Sequence, residues 1–185
     1  MLEMLLQLDG NILLWIQENL RNPVLTALMV RITARGNGGM IWIAITALLL
    51  LRKDTRSTGI MSAMALIGSL IINNFLLKNL VARTRPYEVI EGLSLLIAPA
   101  TDFSFPSGHT GSSLASAWVL LHELPRPWGI LAMALAILIA FSRLYVGIHY
   151  PSDVLAGALT GILAGMLARK LYAIGRVKFS GRNGL

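Results

Sequence analysis

Three short stretches of the chain concentrate residue types that can bind and transform an anion. They are KNLVARTRP at residues 78–86, FPSGHT at residues 105–110 and SRLYVGIHYPSD at residues 142–153. All three fall at the ends of apolar runs. Ionisable groups near hydrocarbon cost free energy, so their presence there indicates a function. Two histidines, several cations and one aspartate in such places predict a common site for an anion.

The spacing of these residues resembles the three-part signature of the phosphatidic acid phosphatase type 2 superfamily, which also contains vanadium haloperoxidases and glucose-6-phosphatase. The first motif is matched by Lys78, six residues and then Arg85-Pro86, and the second by Pro106-Ser107-Gly108-His109. The third is matched by Ser142-Arg143, five residues, His149, three residues and Asp153. One such motif is weak evidence for the family, whereas three motifs in the correct order are specific evidence for it. The resemblance covers residues 60–170 and implies a membrane-embedded phosphatase.

His149 is the expected nucleophile, because an imidazole can attack phosphorus without a metal and form a phosphohistidine. Asp153 follows four residues later, one turn away if a helix begins near Pro151, a favoured first-turn residue. From there the carboxylate can accept the other ring N–H of His149, which selects the tautomer and stabilises the imidazolium. An aspartate in the first turn is also a common cap, but the full motif favours the orienting role.

His109 is expected to be the general acid that protonates the leaving oxygen, and then the base that activates water. A helix that begins at Pro106 would point its free N–H groups at the same place, where backbone donors and the helix dipole bind phosphate. Ser107 and Gly108 are therefore assigned to phosphate binding, with Gly108 permitting close approach. A histidine at a helix start is by itself more often structural, so the motif carries this assignment.

Lys78, Arg85 and Arg143 are expected to surround the phosphoryl oxygens and to neutralise the charge that builds in the transition state. An arginine gives bidentate contacts, and a lysine gives a point charge. Three further cations are expected to reach lipid headgroups with their long side chains, namely Arg83, Arg126 and Arg169. Arg83 and Arg35 could equally serve a second phosphate of the substrate. The third histidine, His122, falls on the opposite side of the predicted bundle and receives no catalytic role.

No motif in the sequence predicts a bound metal ion or another cofactor. The sequence contains no HExxH, no paired carboxylate cluster and no cysteine. A cage of cations would itself repel a metal ion. We therefore expect metal-independent catalysis.

The elements that must position these residues are membrane helices. Of the 185 residues, 55% are hydrophobic and only 14% are charged, about half the charged fraction of an ordinary soluble domain. The net charge of +7 would suggest nucleic acid in a soluble protein, but here many cations flank apolar runs, where they meet anionic headgroups. The sequence predicts an all-α integral membrane bundle whose partners are the bilayer and a lipid phosphate, with no nucleic acid.

About five transmembrane helices are predicted, in a single domain over residues 1–185 with the motifs in residues 60–170. The first combines residues 24–51 with a bend near residues 36–39, and the others cover residues 59–77, 108–121, 128–141 and 154–171. Residues 1–35 form an amphipathic segment whose helix lies in the membrane interface or packs on the bundle. Gly157, Gly161 and Gly165 recur at helical spacing, which predicts close helix packing.

Span parity places residues 78–107 and residues 143–153 on the same side of the membrane. The opposite side receives basic residues in two loops and in the tail, namely Arg52, Lys53, Arg56, Arg126, Arg169, Lys170, Arg176, Lys178 and Arg182. The positive-inside rule makes that side cytoplasmic. We therefore expect a multi-pass protein of the cytoplasmic membrane with its site on the periplasmic or extracellular face.

The expected function is hydrolysis of a lipid phosphate or diphosphate. Short bacterial members of the family often act on undecaprenyl diphosphate, so the resemblance ranks that lipid first. Phosphatidylglycerol phosphate, phosphatidic acid and lipid A phosphate are the alternatives. A haloperoxidase activity is a rival that five apolar spans disfavour. The non-enzyme rival only binds or transports lipid headgroups, but such a site needs cations and neither a nucleophile nor an acid.

Overall fold

The computed structural model describes residues 2–36 and 39–182. Their helices are α1 (Leu2–Leu20), α2 (Pro23–Arg35), α3 (Met40–Leu51), α4 (Arg56–Ser69), α5 (Lys78–Val81), α6 (Pro86–Val89), α7 (Gly108–Glu123), α8 (Arg126–Tyr145) and α9 (Pro151–Arg182). A π-helical segment, Leu70–Leu77, joins α4 to α5. No strand occurs in the described residues, so the predicted all-α class is confirmed.

Three helical stretches of the described residues are long and apolar enough to cross a bilayer: Arg56–Val89, Arg126–Tyr145 and Pro151–Val177. The pair of α2 and α3 meets the same test together as a bent span, with an angle of 53° between the two helices. Residues 37 and 38, at the centre of the predicted bend, lie outside the described residues. The predicted first, second, fourth and fifth spans therefore correspond to these four elements.

The third predicted span corresponds to α7, which is shorter than the other spans. It has 16 residues, fewer than the roughly 20 that a typical span needs. It packs against α4, α8 and α9, so much of its surface contacts protein rather than lipid; Ala115, Ala117 and Val119 are completely buried. By length and composition, three of the described helices, or four with the bent pair, could cross a bilayer, and α7 completes the bundle between them, so the helix count differs slightly from the expected five.

Glycines of α9 allow that helix to lie directly against the backbone of α7. A Cβ atom added at Gly157 would lie 2.5 Å from the Ser107 carbonyl oxygen, and one added at Gly165 would lie 2.8 Å from that of Ala115. Gly161 makes the same kind of backbone contact. The predicted role of these glycines in close packing is confirmed.

The π-helical segment brings two asparagines to the start of α7. Asn73 is completely buried, and its Oδ1 accepts a hydrogen bond from Thr160 Oγ1 at 2.7 Å. Asn74 lies against Gly108, where an added Cβ atom would be 2.8 Å from Asn74 Oδ1. Segments of this kind are frequent at functional sites, and this one ends immediately before Lys78.

The N-terminal helix α1 packs on the bundle, which is one of the two placements that the sequence allows. Leu13 is buried with Leu93 and Tyr150, and Ile16 is buried with Tyr145. The side chain of Trp15 is 55% exposed on the other side of the helix. One face of the amphipathic helix is therefore part of the protein core.

Large apolar side chains are exposed along the outside of the bundle, among them Leu48, Ile67, Leu131 and Leu159. A soluble monomer rarely exposes so many, whereas lipid chains are a favourable environment for them. This distribution agrees with a multi-pass membrane protein.

Candidate active site

The three motif stretches meet at one end of the bundle. A cavity of about 320 Å³ is lined there by six predicted site residues, namely Lys78, Arg85, Gly108, His109, Arg143 and His149. His149 lies between α8 and α9, in a turn where Gly147 has a left-handed φ of 79°. α9 begins at Pro151 as predicted, whereas α7 begins at Gly108 rather than at Pro106.

His149 is buried, and its two ring nitrogens have different partners. Nδ1 lies 3.4 Å from Asp153 Oδ2, and Nε2 lies 3.2 Å from Arg85 Nη1. A guanidinium can only donate a hydrogen bond and a carboxylate can only accept one. These partners therefore favour the tautomer with the proton on Nδ1 and the lone pair on Nε2.

The environment of His149 keeps its ring neutral. Its pKa is lowered to about 3, chiefly by burial; the hydrogen bond to Asp153 raises the pKa, and the charges of Arg143 and Arg85 lower it. The ordinary pKa of a histidine is about 6.5. The neutral imidazole, which is the nucleophilic form, therefore predominates at neutral pH.

Asp153 is completely buried, and both of its carboxylate oxygens accept hydrogen bonds. Oδ2 accepts from Ser104 Oγ at 2.5 Å and from the Tyr150 N–H at 3.0 Å, in addition to facing His149. Oδ1 accepts from Arg83 Nη1 at 2.7 Å. The bond to Tyr150 is a helix cap of the capping-box type, so one carboxylate both caps α9 and faces the histidine.

Asp102 lies among the predicted phosphate-binding cations, although none of the three motifs includes it. Its carboxylate forms ion pairs with Lys78 and with Arg85, the latter at 2.5 Å. Arg85 also donates to the carbonyl oxygens of Asp102 and Phe103, at 3.0 and 3.1 Å. The Asp102 side chain is 53% exposed, whereas those of Lys78 and Arg85 are 9% and 4% exposed. The cations are thus held by an internal anion that solvent can reach.

The charge of Asp102 is stabilised by these contacts. Burial alone would raise the pKa of Asp102, but the hydrogen bonds and charges of Lys78 and Arg85 leave the pKa below its ordinary value. Asp102 is therefore a carboxylate at neutral pH. In the sequence, the role of Asp102 is indicated only by its position, four residues before Pro106 of the second motif.

Arg143 is held in place by a hydrogen bond to a residue of α2, a helix that lies outside the three motifs. Its Nη1 donates to Thr33 Oγ1 at 2.5 Å, and Thr33 is buried. The Nε of Arg143 is buried and has no hydrogen-bond partner among the described residues. Arg143 also lines the cationic cavity.

His109 lies in the first turn of α7 and lines a second, larger cavity as well as the cationic one. The larger cavity, called the apolar groove below, has a volume of about 530 Å³ and lies along α3 and α4, with Lys78, Asp102 and His109 in its lining. Its other lining residues are mainly apolar and include Ile43, Ala47, Leu50, Leu66, Ile67 and Leu70. The arrangement suits an anion that carries an apolar chain.

Ser107 and Gly108 have packing contacts that the sequence did not indicate. Ser107 Oγ accepts hydrogen bonds from the Thr110 N–H at 3.5 Å and from Thr110 Oγ1 at 3.0 Å. The Ser107 N–H donates to the Asp153 carbonyl oxygen at 3.0 Å. Gly108 lines both cavities but also lies against Asn74. Phosphate binding by these two residues remains a prediction.

Arg83 does not point toward lipid headgroups, so that expectation was wrong. Its guanidinium donates to Asp9 at 2.8 Å and to Asp153 and Ser152 at 2.7 Å each. The guanidinium carbon lies 3.6 Å from the centre of the Tyr150 ring. The two carboxylates are 74 and 70 positions away in the chain, so no local spacing could reveal them.

Comparison with known proteins agrees with the motifs. The PAP2 superfamily model matches residues 59–174, which is more than half of the chain. An undecaprenyl-diphosphatase of Sulfolobus acidocaldarius is 35% identical over 154 residues, covering 83% of this chain and 74% of that protein. The undecaprenyl-diphosphatase BcrC of Bacillus subtilis is 33% identical over 146 residues, covering 79% of this chain and 74% of that protein.

Two crystal structures share the fold. LpxE of Aquifex aeolicus is 26% identical with a TM-score of 0.77, covering 86% of this chain and 93% of that one. A PAP2-type phosphatidylglycerolphosphate phosphatase of Bacillus subtilis is 27% identical with a TM-score of 0.72, covering 89% of this chain and 84% of that one. The family match, the membrane helices and the convergent motifs show that this chain belongs to the PAP2 superfamily, as a membrane lipid phosphatase.

Proposed function

We propose that this phosphatase removes the terminal phosphate of a lipid diphosphate, with undecaprenyl diphosphate as the first candidate, through a phosphohistidine on His149. The observation that carries the proposal is the position of His149 Nε2, beside Arg85 in a cationic cavity that adjoins an apolar groove. Relatives named undecaprenyl-diphosphatase support the choice of lipid. The structural similarity to a phosphatidylglycerolphosphate phosphatase makes that lipid the main alternative.

In the first step, the Nε2 lone pair of His149 forms a bond to the terminal phosphorus while the bond from phosphorus to the bridging oxygen breaks. His109 takes up a proton from solvent as the anionic substrate binds and donates it to the departing oxygen, and the lipid leaves as a monophosphate. Asp153 faces Nδ1 and stabilises the positive charge that develops on the ring. Charge that builds on the phosphoryl oxygens is neutralised by three cations, namely Lys78, Arg85 and Arg143.

In the second step, water attacks the phosphorus of the phosphohistidine. His109, now neutral, accepts a proton from the water, and the bond between Nε2 and phosphorus breaks. Orthophosphate leaves, His149 returns to its neutral form and His109 is again protonated. One water molecule is consumed, and one orthophosphate and one lipid monophosphate are formed.

The groove along α3 and α4 supports a substrate with an apolar chain. Its lining includes Gly39, just before α3, and Leu50, near the end of that helix. At 1.5 Å per residue, these positions are about 16 Å apart along the axis, which is roughly half of the hydrocarbon thickness of a bilayer. A chain in this groove would enter the membrane core while its phosphates stay with the cations.

The active site faces the outside of the cytoplasmic membrane in this proposal, because basic residues are concentrated in the loops expected at the other end of the bundle. The chain has no cysteine, so single cysteines can report the orientation. In intact cells, a membrane-impermeant maleimide should label Glu91→Cys, on the connection that leads to α7, but not Asp54→Cys, between α3 and α4. The reverse pattern would place the site in the cytoplasm.

Phosphate release from purified lipids in detergent tests the reaction and the substrate separately. We expect the highest kcat/KM with undecaprenyl diphosphate, compared with phosphatidylglycerol phosphate, phosphatidic acid and lipid A phosphate. His149→Ala should abolish phosphate release while lipid binding persists. Unchanged turnover in this variant would refute the assignment of His149 as the nucleophile. A preference for another lipid would change the substrate and leave the nucleophile in place.

Metal independence is part of the proposal. Among residues 2–36 and 39–182, no group of three or more His, Asp or Glu side chains is arranged to hold a metal ion. Turnover should persist in excess EDTA, because the cations that line the cavity would repel a metal ion. A complete loss that an added divalent cation restores would contradict the mechanism.

A further inference from the structure

Asp9 of α1 is buried close to the nucleophile, although it lies far outside the three motifs. It is 3% exposed. Its Oδ2 accepts from Arg83 Nη2 at 2.8 Å, and its Oδ1 accepts from the Ser152 N–H at 2.9 Å. The Ser152 hydroxyl also donates to this carboxylate. Ser152 is in the first turn of α9, where N–H groups lack helical partners and a negative charge is favourable.

Arg83 connects Asp9 to the carboxylate that faces the nucleophile. One of its terminal nitrogens, Nη2, donates to Asp9, and the other, Nη1, donates to Asp153 Oδ1 at 2.7 Å. The ring of Tyr150 lies under the guanidinium, 3.6 Å from its carbon atom, and so restricts its plane. A continuous series of polar contacts therefore runs from Asp9 through Arg83 and Asp153 to His149.

The charges in this series have a consequence for His149. Arg83 alone would neutralise Asp153 and weaken its attraction for a positive imidazole ring. With Asp9 included, two carboxylates and one guanidinium leave a net negative charge behind the nucleophile. Because electrostatic interactions are stronger in a buried site than in water, that charge favours the cationic ring that forms when Nε2 bonds to phosphorus.

We propose that Asp9 is a positioning residue for catalysis, which acts through Arg83 to hold Asp153 against His149 and to keep negative charge behind the nucleophile. The inference rests on the proposed role of His149 in phosphoryl transfer. It makes α1 part of the working active site rather than only a membrane-associated helix. Phosphate binding is a separate property, because Asp9 contributes nothing to the lining of either cavity at the site.

The first test is the kinetics of Asp9→Asn in the purified full-length protein. We expect kcat to fall by about tenfold or more, the size typical of changes to residues that orient a catalytic group. KM and the inhibition constant of orthophosphate should stay within about twofold of the wild-type values, because an interaction that matters only in the transition state changes kcat alone. Asp9→Glu keeps the charge and should recover part of the lost kcat.

A matched control is available on the same helix. Glu3 is exposed, so Glu3→Gln removes the same charge from α1 and should leave kcat unchanged. If Asp9 only anchored α1, Asp9→Asn would lower the yield or the melting temperature, while kcat per folded molecule would match the wild type. That result would overturn the inference.

A double-mutant cycle identifies the route of the effect. If Asp9 acts through Arg83, adding Asp9→Asn to Arg83→Gln should cause no further loss of kcat. Losses that multiply would overturn the inference. If Asp9→Asn does not fold, Asp9→Glu carries the same test: its loss of kcat should vanish in the Arg83→Gln background, and a loss that persists would contradict the route.

The two proposals fail in different ways. Turnover that survives His149→Ala would refute the phosphohistidine mechanism itself. An inactive His149→Ala variant together with wild-type kcat in Asp9→Asn would refute only the role of Asp9.

Discussion

Arg85 donates a hydrogen bond to His149 Nε2 at 3.2 Å, and Nε2 is the atom that attacks phosphorus in the proposed mechanism. The same guanidinium holds Asp102 at 2.5 Å and the Ile148 carbonyl oxygen at 3.0 Å. Attack requires Arg85 to release the lone pair of Nε2. Phosphoryl oxygens that replace Asp102 as acceptors would draw the guanidinium toward the substrate, so substrate binding and release of the nucleophile are coupled through Arg85.

Replacing Arg85 with lysine should therefore impair catalysis although the positive charge is kept. A lysine has no planar fork with which to contact two phosphoryl oxygens and a carboxylate, and loss of such transition-state contacts costs about 100-fold or more in kcat. Steady-state kinetics on the preferred lipid measures the effect. Arg126→Lys changes an exposed arginine at the start of α8 and should have wild-type kinetics; an Arg85→Lys variant with wild-type kcat would contradict the coupling.

Asp102 should compete with phosphate for Lys78 and Arg85. Asp102→Asn removes the internal anion, so the inhibition constant of orthophosphate should fall by about three- to tenfold, as expected for a partly exposed ion pair. Inhibition of phosphate release from a lipid substrate, followed through the lipid product, gives this constant. Glu91→Gln removes an exposed charge from the same connection and serves as the control. Weaker phosphate inhibition in Asp102→Asn would show that Asp102 positions the cations instead.

The lowered pKa of His149 predicts the protonation state of the free enzyme. Since that pKa is lowered to about 3, the ring should stay neutral, with the proton on Nδ1, as the pH falls from 8 to about 5, where an ordinary histidine becomes charged. The chain has three histidines, so ¹⁵N-histidine NMR in detergent resolves them, with His149→Gln for assignment. Protonation of the His149 ring between pH 6 and 7 would disagree with the buried, cation-lined environment.

The packing of α9 on α7 should be sensitive to single methyl groups. Gly157→Ala places a Cβ atom 2.5 Å from the Ser107 carbonyl oxygen, which should destabilise the protein by about 1–3 kcal/mol and lower activity by displacing the start of α7. Gly175→Ala, on the same helix, meets no atom within 4 Å and should be neutral or slightly stabilising. Thermal unfolding in detergent compares the two variants, and equal melting temperatures would contradict this description of the interface.

Local sequence determined the fold class and six of the residues that line the cationic cavity. Apolar runs of helical length require membrane helices, because backbone polar groups in lipid must be satisfied within the segment. The motif residues lie at the ends of these runs, so their approximate convergence follows from helix order. The start of α9 at Pro151 likewise depends on neighbouring residues only, and the sequence predicted it. Asp153 also caps this helix, which the sequence analysis gave only as the alternative to the orienting role.

Other features depended on contacts between distant parts of the chain. Asp102 contacts Lys78 across 24 positions, Thr33 contacts Arg143 across 110, and Asp9 contacts Ser152 across 143. No spacing rule connects such pairs, because they meet only after the helices pack.

The sequence alone therefore determined the helical membrane architecture and the set of groups expected to handle phosphate, since both follow from periodicity and local motifs. The tertiary structure alone decided which acids pair with the cations of the site: Asp102 pairs with Lys78 and Arg85, and Asp9 pairs with Arg83. The physical reason is that a buried charge takes its partner from whichever element packs against it, and helix packing sets that neighbour at any sequence distance.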